Sequence, residues 1–504
     1  MRSKETSASH ETFAIFGLLT LFALLLALIT SRHEMYLDEV QPWLFVRNAH
    51  SLLPVIQHLR YEAHPALWFV LLYGASRFSS SVITMQCVNF VLAVLMAWTV
   101  LSNRFVPMLV RVLIIFGGSV FFTTGVIARD YMLGGLLLTA AARCLLAKPQ
   151  RRWLGVVLLG LASNSHFLAI PVAGSIFVWL YWLSPGMNRA TAIAKLKDRA
   201  FWASVAVIAV ALLACYFTVR PAKDIATHLD FPGANLFDYL VLGAGKPWHY
   251  YLPITLSADS SIQNSALAFP AYTDVLITLL LLVVSLSVLP GRRSRYFMIT
   301  ASVLWTAAAV TTVHIPLATH ASFLFVSYII ALMINRPEDG LGSWLPSYAA
   351  QPVLLVILGA QVLICLQVCT KEWSSPFSAG KPVAEWLDAA GLVGHPLVVE
   401  PELPAPTVLA YTGIPTAYFP ACQCSRPFIN YSRGWDSERQ VSLEELQALK
   451  ASSGLSPVVL SRWKLSQSDQ QHLGLRLVYE SPKGWGFNNE DVFIYAAGDI
   501  QGKL

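Results

Sequence analysis

The sequence predicts an all-α polytopic membrane protein, with about eleven transmembrane helices plus interfacial helices, followed by a small C-terminal α/β extracytoplasmic domain. Composition is the first reason: of 504 residues, 55% are hydrophobic and 13% are charged, and the mean hydropathy is +0.56. Soluble domains normally carry about 25% charged residues. The other two reasons are a series of long apolar runs and a change to mixed composition near residue 370.

The apolar runs approach the roughly 20 residues that a helix needs to cross about 30 Å of hydrocarbon. The first run follows Met1-Arg-Ser-Lys and has no small-residue cleavage site after it, so we expect an uncleaved anchor. The stretch 153–183 fits either one helix or two. The candidate spans are 12–31, 82–101, 106–126, 131–147, 153–163, 167–183, 201–219, 272–289, 296–313, 321–335 and 349–369.

Basic residues indicate how the chain crosses the membrane, since cytoplasmic connections are rich in Lys and Arg. If the amino terminus is cytoplasmic, the basic connections fall on the cytoplasmic side only when 65–78 is an interfacial helix and not a span. The net charge of +6 then reflects topology, and we predict no nucleic-acid partner. The inner connections would hold Arg104, Lys148 to Arg152, Arg189 to Arg199, Arg292 to Arg295, and Arg336.

Polar regions fall on the outer side in this arrangement: loop 32–81, loop 220–271, and the domain 370–504 that follows the transmembrane domain 1–369. Cys422 and Cys424 in the outer domain are expected to be free thiols or a local disulfide. The outer domain is predicted to contain helices at Pro382–Ala390 and Leu443–Leu449 and strands at HPLVVE, SPVVLSRW, LRLVYES and EDVFIYAA.

Two acids, Asp38 and Glu39, follow the first apolar run in the stretch YLDEVQPW. Charged groups near a membrane are costly unless they face a polar cavity, so the pair is a candidate for acid–base or metal chemistry. The alternative is a solvated pair that helps fix topology. His64 lies in the same loop before Pro65, which disfavours the α conformation at His64. It is either structural or part of the same site.

Further polar residues lie at outward-facing turns. Arg129 and Asp130 either pair with each other, or hold a phosphate and a divalent metal respectively. His166 and His320 follow other spans, and Lys246 lies in the glycine-containing stretch GAGKPWH. That stretch lacks the spacing of a P-loop and is equally well explained as a mobile loop.

The order of these motifs resembles the fold-C (GT-C) membrane glycosyltransferases, such as protein O-mannosyltransferases, aminoarabinose transferases and bacterial dolichyl-phosphate-mannose-type transferases. The resemblance covers about residues 12–335 through LDEVQPW, HPALWFVLLYG, ARDYML and SNSHFL. Many relatives read Arg-Pro-Tyr where this chain has Arg129-Asp130-Tyr131. A later turn often carries Arg-Tyr, where this chain has Thr319-His320-Ala321.

The resemblance implies inverting transfer of a sugar from a polyprenyl-phosphate donor to an acceptor hydroxyl or similar group at the outer face. Asp38 would be the general base, while Glu39 would orient it or join Asp130 at a divalent metal ion. Substrate and phosphate contacts would come from His64, Arg129, His166, Lys246 and His320.

Other functions are compatible with a membrane protein of this kind, including a flippase or transporter, or a polymerase or ligase, for lipid-linked saccharides. Transporters typically place charge near the bilayer midplane on repeated halves, whereas this chain has its acids at outer turns and no internal repeat. We therefore expect a glycosyltransferase of the bacterial inner membrane, in contact with membrane lipid. Its active site and C-terminal domain are expected on the periplasmic side.

Overall fold

A computed structural model of the chain consists mainly of helices, with one sheet near the C terminus. The described residues are 2–147, 149–183, 189–225, 236–245, 247, 271–289, 291–312, 318–334, 347–401, 404–432, 435–436, 439–486 and 491–498.

Helices cover every predicted span, which confirms the polytopic helical class. Large side chains such as Phe13 and Val210 face outward, as expected of helices in contact with lipid. Five helices in the described ranges are long and apolar enough to cross a membrane: His10–Thr30, Ile83–Leu101, Met108–Val126, Arg199–Val219 and Tyr348–Ser374. The other predicted spans are covered by Asp130–Leu146, Arg152–Ser163, Ala169–Trp182, Ala271–Val288, Arg292–Thr312 and Ser322–Met333.

Loop 32–81 is largely helical. Its last helix, Ala66–Ser76, matches the predicted helix at 65–78. Two earlier helices, Leu37–Asn48 and Leu52–Glu62, were not predicted. Each helix follows a residue with extended backbone, Tyr36 or Ser51. Both helices are too short for a clear apolar period to be recognised in the sequence. The DE pair therefore lies in the first turn of a helix instead of in an irregular loop.

The outer domain is built on a mixed six-stranded sheet with the strand order β3-β2-β1-β4-β6-β5. β1 pairs in parallel with β2 and β4, and the remaining neighbours are antiparallel. The four predicted strands are present, while β2 and β3 have three residues each and gave no recognisable pattern. The strands are β1 Leu397–Glu400, β2 Ala417–Phe419, β3 Cys424–Arg426, β4 Val458–Ser461, β5 Leu475–Glu480 and β6 Phe493–Ala497.

Four helices accompany this sheet. Gly380–Ala389 and Leu443–Ser453 match the two predictions, while Ala405–Tyr411 and Gln467–Leu473 were not predicted. Cys422 and Cys424 form a disulfide, which selects the second of the two expected states.

The outer domain docks directly on the helix Leu37–Asn48. Trp43 of that helix shares one buried apolar cluster with residues of the outer domain. Hydrogen bonds fix both ends of the contact: the Met35 backbone N–H donates to the Tyr411 hydroxyl at 2.8 Å, and the Arg47 guanidinium donates to the Leu409 carbonyl at 3.1 Å. The helix that carries the DE pair is therefore held by both domains.

Phe377 fills the junction between the last membrane helix and the outer domain. Its ring is fully buried, with centroids 4.7 Å from His33 and 4.9 Å from Trp485. The Gly486 backbone N–H donates to the Phe377 carbonyl at 3.0 Å, and a Cβ at Gly486 would overlap the Phe377 ring. Because Phe377 is enclosed, its ring has no free space to move into.

We expect Gly486→Ala to lower the free energy of unfolding by about 1–3 kcal/mol, since overpacking forces shifts in a dense core. The measurement is a thermal melt in detergent. Gly498→Ala is the matched control, because a Cβ there would meet no atom within 4 Å. Equal melting temperatures for the two variants would contradict this account of the junction.

Candidate active site

A cleft of about 160 Å³ lies where the outer helices meet the ends of the membrane helices. The structure brings four of the sequence-predicted site residues to it: Asp38, His64, Arg129 and Asp130. They come from three separate stretches of the chain. The remaining lining residues are Leu37, Gln41, Pro42, Glu62, Trp68, Phe69 and Tyr431.

Asp38 and Arg129 form an ion pair across the cleft, with Oδ2 and Nη1 2.9 Å apart. The Asp38 side chain is 40% exposed, whereas that of Arg129 is 10% exposed. Arg129 also donates to the Tyr36 hydroxyl at 3.1 Å, and its guanidinium lies 5.0 Å from the centre of the Tyr131 ring. The cleft thus combines an accessible carboxylate with an enclosed, fixed cation.

Burial by itself would lower the pKa of Arg129. The electrostatic influence of Tyr131, Tyr36 and Asp38 outweighs burial and raises the pKa above its ordinary value, so the guanidinium stays charged. The sequence suggested either a pair between Arg129 and Asp130 or separate ligand-binding roles for them, whereas the structure pairs Arg129 with Asp38.

Asp130 begins the helix Asp130–Leu146, where a negative charge is favoured by the helix dipole. The residue is 2% exposed, and its Oδ2 atom has no hydrogen-bond partner. Burial raises the pKa of this carboxyl, and His64 and Arg129 offset part of that effect. A buried oxygen without a partner that lines a cleft is a ready acceptor for a ligand hydroxyl.

His166 and His320 lie behind the cleft without lining it. The centre of the His166 ring is 6.2 Å from the centre of the His64 ring and 5.9 Å from that of His320. The Tyr131 ring packs against His166 at 5.0 Å and against His320 at 6.0 Å. The His166 Nδ1 accepts the Leu168 backbone N–H at 3.0 Å, so in the neutral ring Nε2 carries the hydrogen. Burial lowers the pKa of His166, with further lowering from His320 and His64, and keeps the ring neutral.

Glu39 turns away from the cleft and is fully buried. Its Oε1 accepts the Ala128 backbone N–H at 2.6 Å, and its Oε2 contacts His33 Nε2 at 2.9 Å and accepts the Tyr36 backbone N–H at 3.2 Å. Both oxygens are therefore engaged by protein groups, whereas the sequence had Glu39 orienting Asp38 or joining Asp130 at a metal ion; those roles stay predictions. Within the described ranges, no group of three His, Cys, Asp or Glu residues could hold a metal ion.

His33 joins Glu39 to the last membrane helix, because its Nδ1 lies 3.0 Å from Glu372 Oε1. All three side chains are fully buried. Burial would lower the pKa of His33, but the charges and hydrogen bonds of Glu39 and Glu372 outweigh it and raise the pKa to about 10. An imidazolium between two carboxylates therefore links the first and last membrane helices to the DE pair.

Sequence reasoning did not find His33, Glu372 or Tyr431. The first two had a usable signal, since each is a charged or titratable residue at the outer end of an apolar run. Tyr431 had none, because nothing local distinguishes it from other tyrosines. Lys246, which the sequence assigned to phosphate binding, lies outside the described residues.

Comparisons with known proteins give matches among solved structures only. No family model matches, and no curated protein matches. ArnT from Cupriavidus metallidurans in the apo state matches with a TM-score of 0.43 and 12% identity, over 97% of this chain and 99% of that chain. The same protein bound to undecaprenyl phosphate matches with a TM-score of 0.39 and 11% identity, over 96% of this chain and 99% of that chain.

The arabinofuranosyltransferase AftD from Mycobacteria matches with a TM-score of 0.41 and 16% identity, over 95% of this chain and 41% of that chain.

We expect His33→Ala to lower the free energy of unfolding by about 3–5 kcal/mol, because it leaves two buried carboxylates without their shared cation. His50→Ala, at an exposed histidine, is the control for histidine loss. Melting of the two purified variants in detergent at pH 7 measures the effect. A His33→Ala protein as stable as the His50→Ala protein would show that the buried network is not stabilising.

The same network predicts a pH dependence. His33 has a folded-state pKa of about 10, above the 6.5 of a free histidine, so its contribution is complete below about pH 6.5 and is lost as the pH rises toward 10. The wild-type melting temperature should therefore fall over this interval by more than that of His33→Gln. Parallel pH profiles would contradict the assignment.

Proposed function

We propose that this chain is a membrane glycosyltransferase. It transfers a sugar from a polyprenyl-phosphate donor to an acceptor hydroxyl, with inversion, at the extracytoplasmic face. The observation that carries the proposal is the pairing of the accessible Asp38 carboxylate with the enclosed Arg129 guanidinium, 2.9 Å apart, at the ends of the membrane helices. A base for the acceptor and a cation for the leaving phosphate are the two groups that the reaction needs.

An apolar cavity of about 360 Å³ supports a lipid donor. Residues of the helices Ala271–Val288 and Arg292–Thr312 line it, and its walls include Leu324. Leu324 lies four residues after His320, just past the junction between the short 3-10 helix Ala318–Ala321 and the helix Ser322–Met333. A prenyl tail in this cavity would direct its phosphate toward the group of His320, Tyr131 and Arg129.

Donor binding would change the state of the base. In the structure Asp38 is held by Arg129, and a donor phosphate would compete for the same guanidinium because Arg binds phosphate through charge-assisted hydrogen bonds. Asp38 would then be free to accept a proton. Without donor, the ion pair would restrain Asp38 and suppress unproductive chemistry.

The chemical step follows from these positions. The Asp38 carboxylate takes the proton of the acceptor hydroxyl as its oxygen bonds to the anomeric carbon. The bond from that carbon to the phosphate oxygen breaks, and its electron pair stays on the phosphate, whose added charge Arg129 stabilises. Attack from the face opposite the phosphate inverts the configuration. A held phosphate is a good leaving group, so the step needs little general-acid help.

The divalent ion expected from sequence stays a prediction. Asp130, the expected ligand, lines the cleft together with Asp38 and could contact such an ion, whereas Glu39 is engaged elsewhere. The test is turnover after EDTA treatment, with and without added Mg²⁺ or Ca²⁺. A loss that the added ion reverses would support a metal site, and undiminished turnover would remove the ion while leaving Asp38 as the base.

We expect Asp38→Asn to reduce transfer by about 10²–10⁴-fold, the usual contribution of a general base. The assay follows sugar leaving an undecaprenyl-phosphate donor by mass spectrometry, using purified protein in lipid nanodiscs. Asp388→Asn, on an exposed side chain of the outer domain, is the matched control. Wild-type turnover by Asp38→Asn would remove Asp38 from catalysis.

A further inference from the structure

Among the described residues of the outer domain, Tyr431 is the one that lines the cleft. It lies in the chain segment between strand β3 and the helix Leu443–Ser453. The ring packs near Trp435, with centroids 6.0 Å apart in an edge-on arrangement. The cleft is therefore closed by residues of both domains.

Gln41 fixes the position of this segment. Its Nε2 donates to the Ile429 carbonyl at 2.7 Å, and its Oε1 accepts the Ile429 backbone N–H at 3.2 Å. The same Nε2 also donates to Glu62 Oε1 at 3.2 Å. Gln41 lies one turn after Asp38, so its side chain ties the helix that carries the base to the Glu62 carboxylate and to the segment that carries Tyr431.

The chemistry of the lining suits a carbohydrate. Tyr431 is partly exposed and offers an apolar ring face, against which the C–H groups of a sugar ring can pack, while the buried rings of Trp68 and Phe69 form the apolar wall of the cleft. Glu62 and Asp130 offer carboxylate oxygens, which accept hydrogen bonds from hydroxyls. The unpartnered Oδ2 of Asp130 is such an acceptor. A peptide would instead call for exposed backbone groups or a sheet edge.

A second cavity lies close to the Glu62 side of the cleft. It is an open groove of about 540 Å³ whose lining includes Gln57, His58 and Lys223. His58 lines this groove, and its Nε2 lies 3.5 Å from Oε1 of Glu62, which lines the cleft. The groove is open to the outside, whereas the apolar cavity for the donor lies among the membrane helices. In the proposed arrangement, an acceptor would approach from the groove at the Glu62 side while the donor occupies the Arg129 side.

We propose that Tyr431, Trp68 and Glu62 form the acceptor subsite, and that the acceptor is a hydroxyl of a carbohydrate. This inference rests on the proposed function. Tyr431 then determines specificity by stacking on the acceptor sugar, and it excludes water from Asp38 while the acceptor is bound. The outer domain selects the acceptor through this residue.

The experiment uses the full-length protein in nanodiscs with a panel of undecaprenyl-phosphate-linked single hexoses and pentoses as donors. Methyl glycosides and Ser/Thr peptides serve as competing acceptors, and mass spectrometry separates transfer from hydrolysis. The variants are Tyr431→Ala, Tyr431→Phe and Glu62→Gln. Tyr479→Ala is the matched control, since that outer-domain ring stacks on Trp386 at 4.7 Å and does not line the cleft.

We expect methyl glycosides to accept the sugar and peptides not to. Tyr431→Ala should raise the acceptor KM by about tenfold, with the donor KM within about twofold of wild type, and should increase the share of donor lost to water. Tyr431→Phe should keep most of the affinity because it retains the ring. Glu62→Gln should raise the acceptor KM even if Tyr431→Ala proves too unstable to assay.

Three results would overturn the subsite. They are equal kinetics for Tyr431→Ala and Tyr479→Ala, a wild-type acceptor KM in Glu62→Gln, and transfer to peptides in preference to methyl glycosides. Failure of the underlying function is distinguishable, because the wild type would then release no sugar from any donor, or Asp38→Asn would remain active.

Discussion

The buried carboxylate of Glu39 is the constraint on which the active cleft depends. It accepts a hydrogen bond from the Ala128 backbone N–H and forms an ion pair with His33. His33 forms a second ion pair with Glu372. A charge without partners would be too costly at this depth, so the four groups must assemble together or not at all. Assembly places the residues on either side, Asp38 next to Glu39 and Arg129 next to Ala128, within reach of each other.

The two adjacent acids thus have separate roles set by their surroundings. On a helix, neighbouring residues point about 100° apart, so Asp38 can face the cleft while Glu39 faces the interior. The interior member fixes the geometry between two outer turns, and the exposed member is available for chemistry. Under the proposed function, substitutions at the two positions would reduce transfer for different physical reasons. Loss at Glu39 would change stability as well, whereas loss at Asp38 would leave the buried network intact.

The helix Leu37–Asn48 joins the outer domain and the membrane domain in one shared apolar core. Trp43 packs into the outer domain on one side of the helix Leu37–Asn48, and Gln41 binds the Ile429 backbone along the same helix. Movement of the outer domain would therefore displace the helix that carries Asp38. A donor that enters from the membrane and an acceptor that enters from outside would both contact the region of the helix Leu37–Asn48. Because this helix is held rigidly, the distance between the reacting groups would be well defined.

Apolar length and period are local properties, so the helical spans, four of the six strands and the turns that hold the polar residues could be predicted from the sequence. The same reasoning identified Asp38, His64, Arg129 and Asp130 as residues near the membrane surface. The three-dimensional fold was needed to show that Arg129 pairs with Asp38, that Glu39 is internal, and that Tyr431 lines the cleft. These depend on contacts between residues up to several hundred positions apart, and no local pattern records which distant group will satisfy a buried charge.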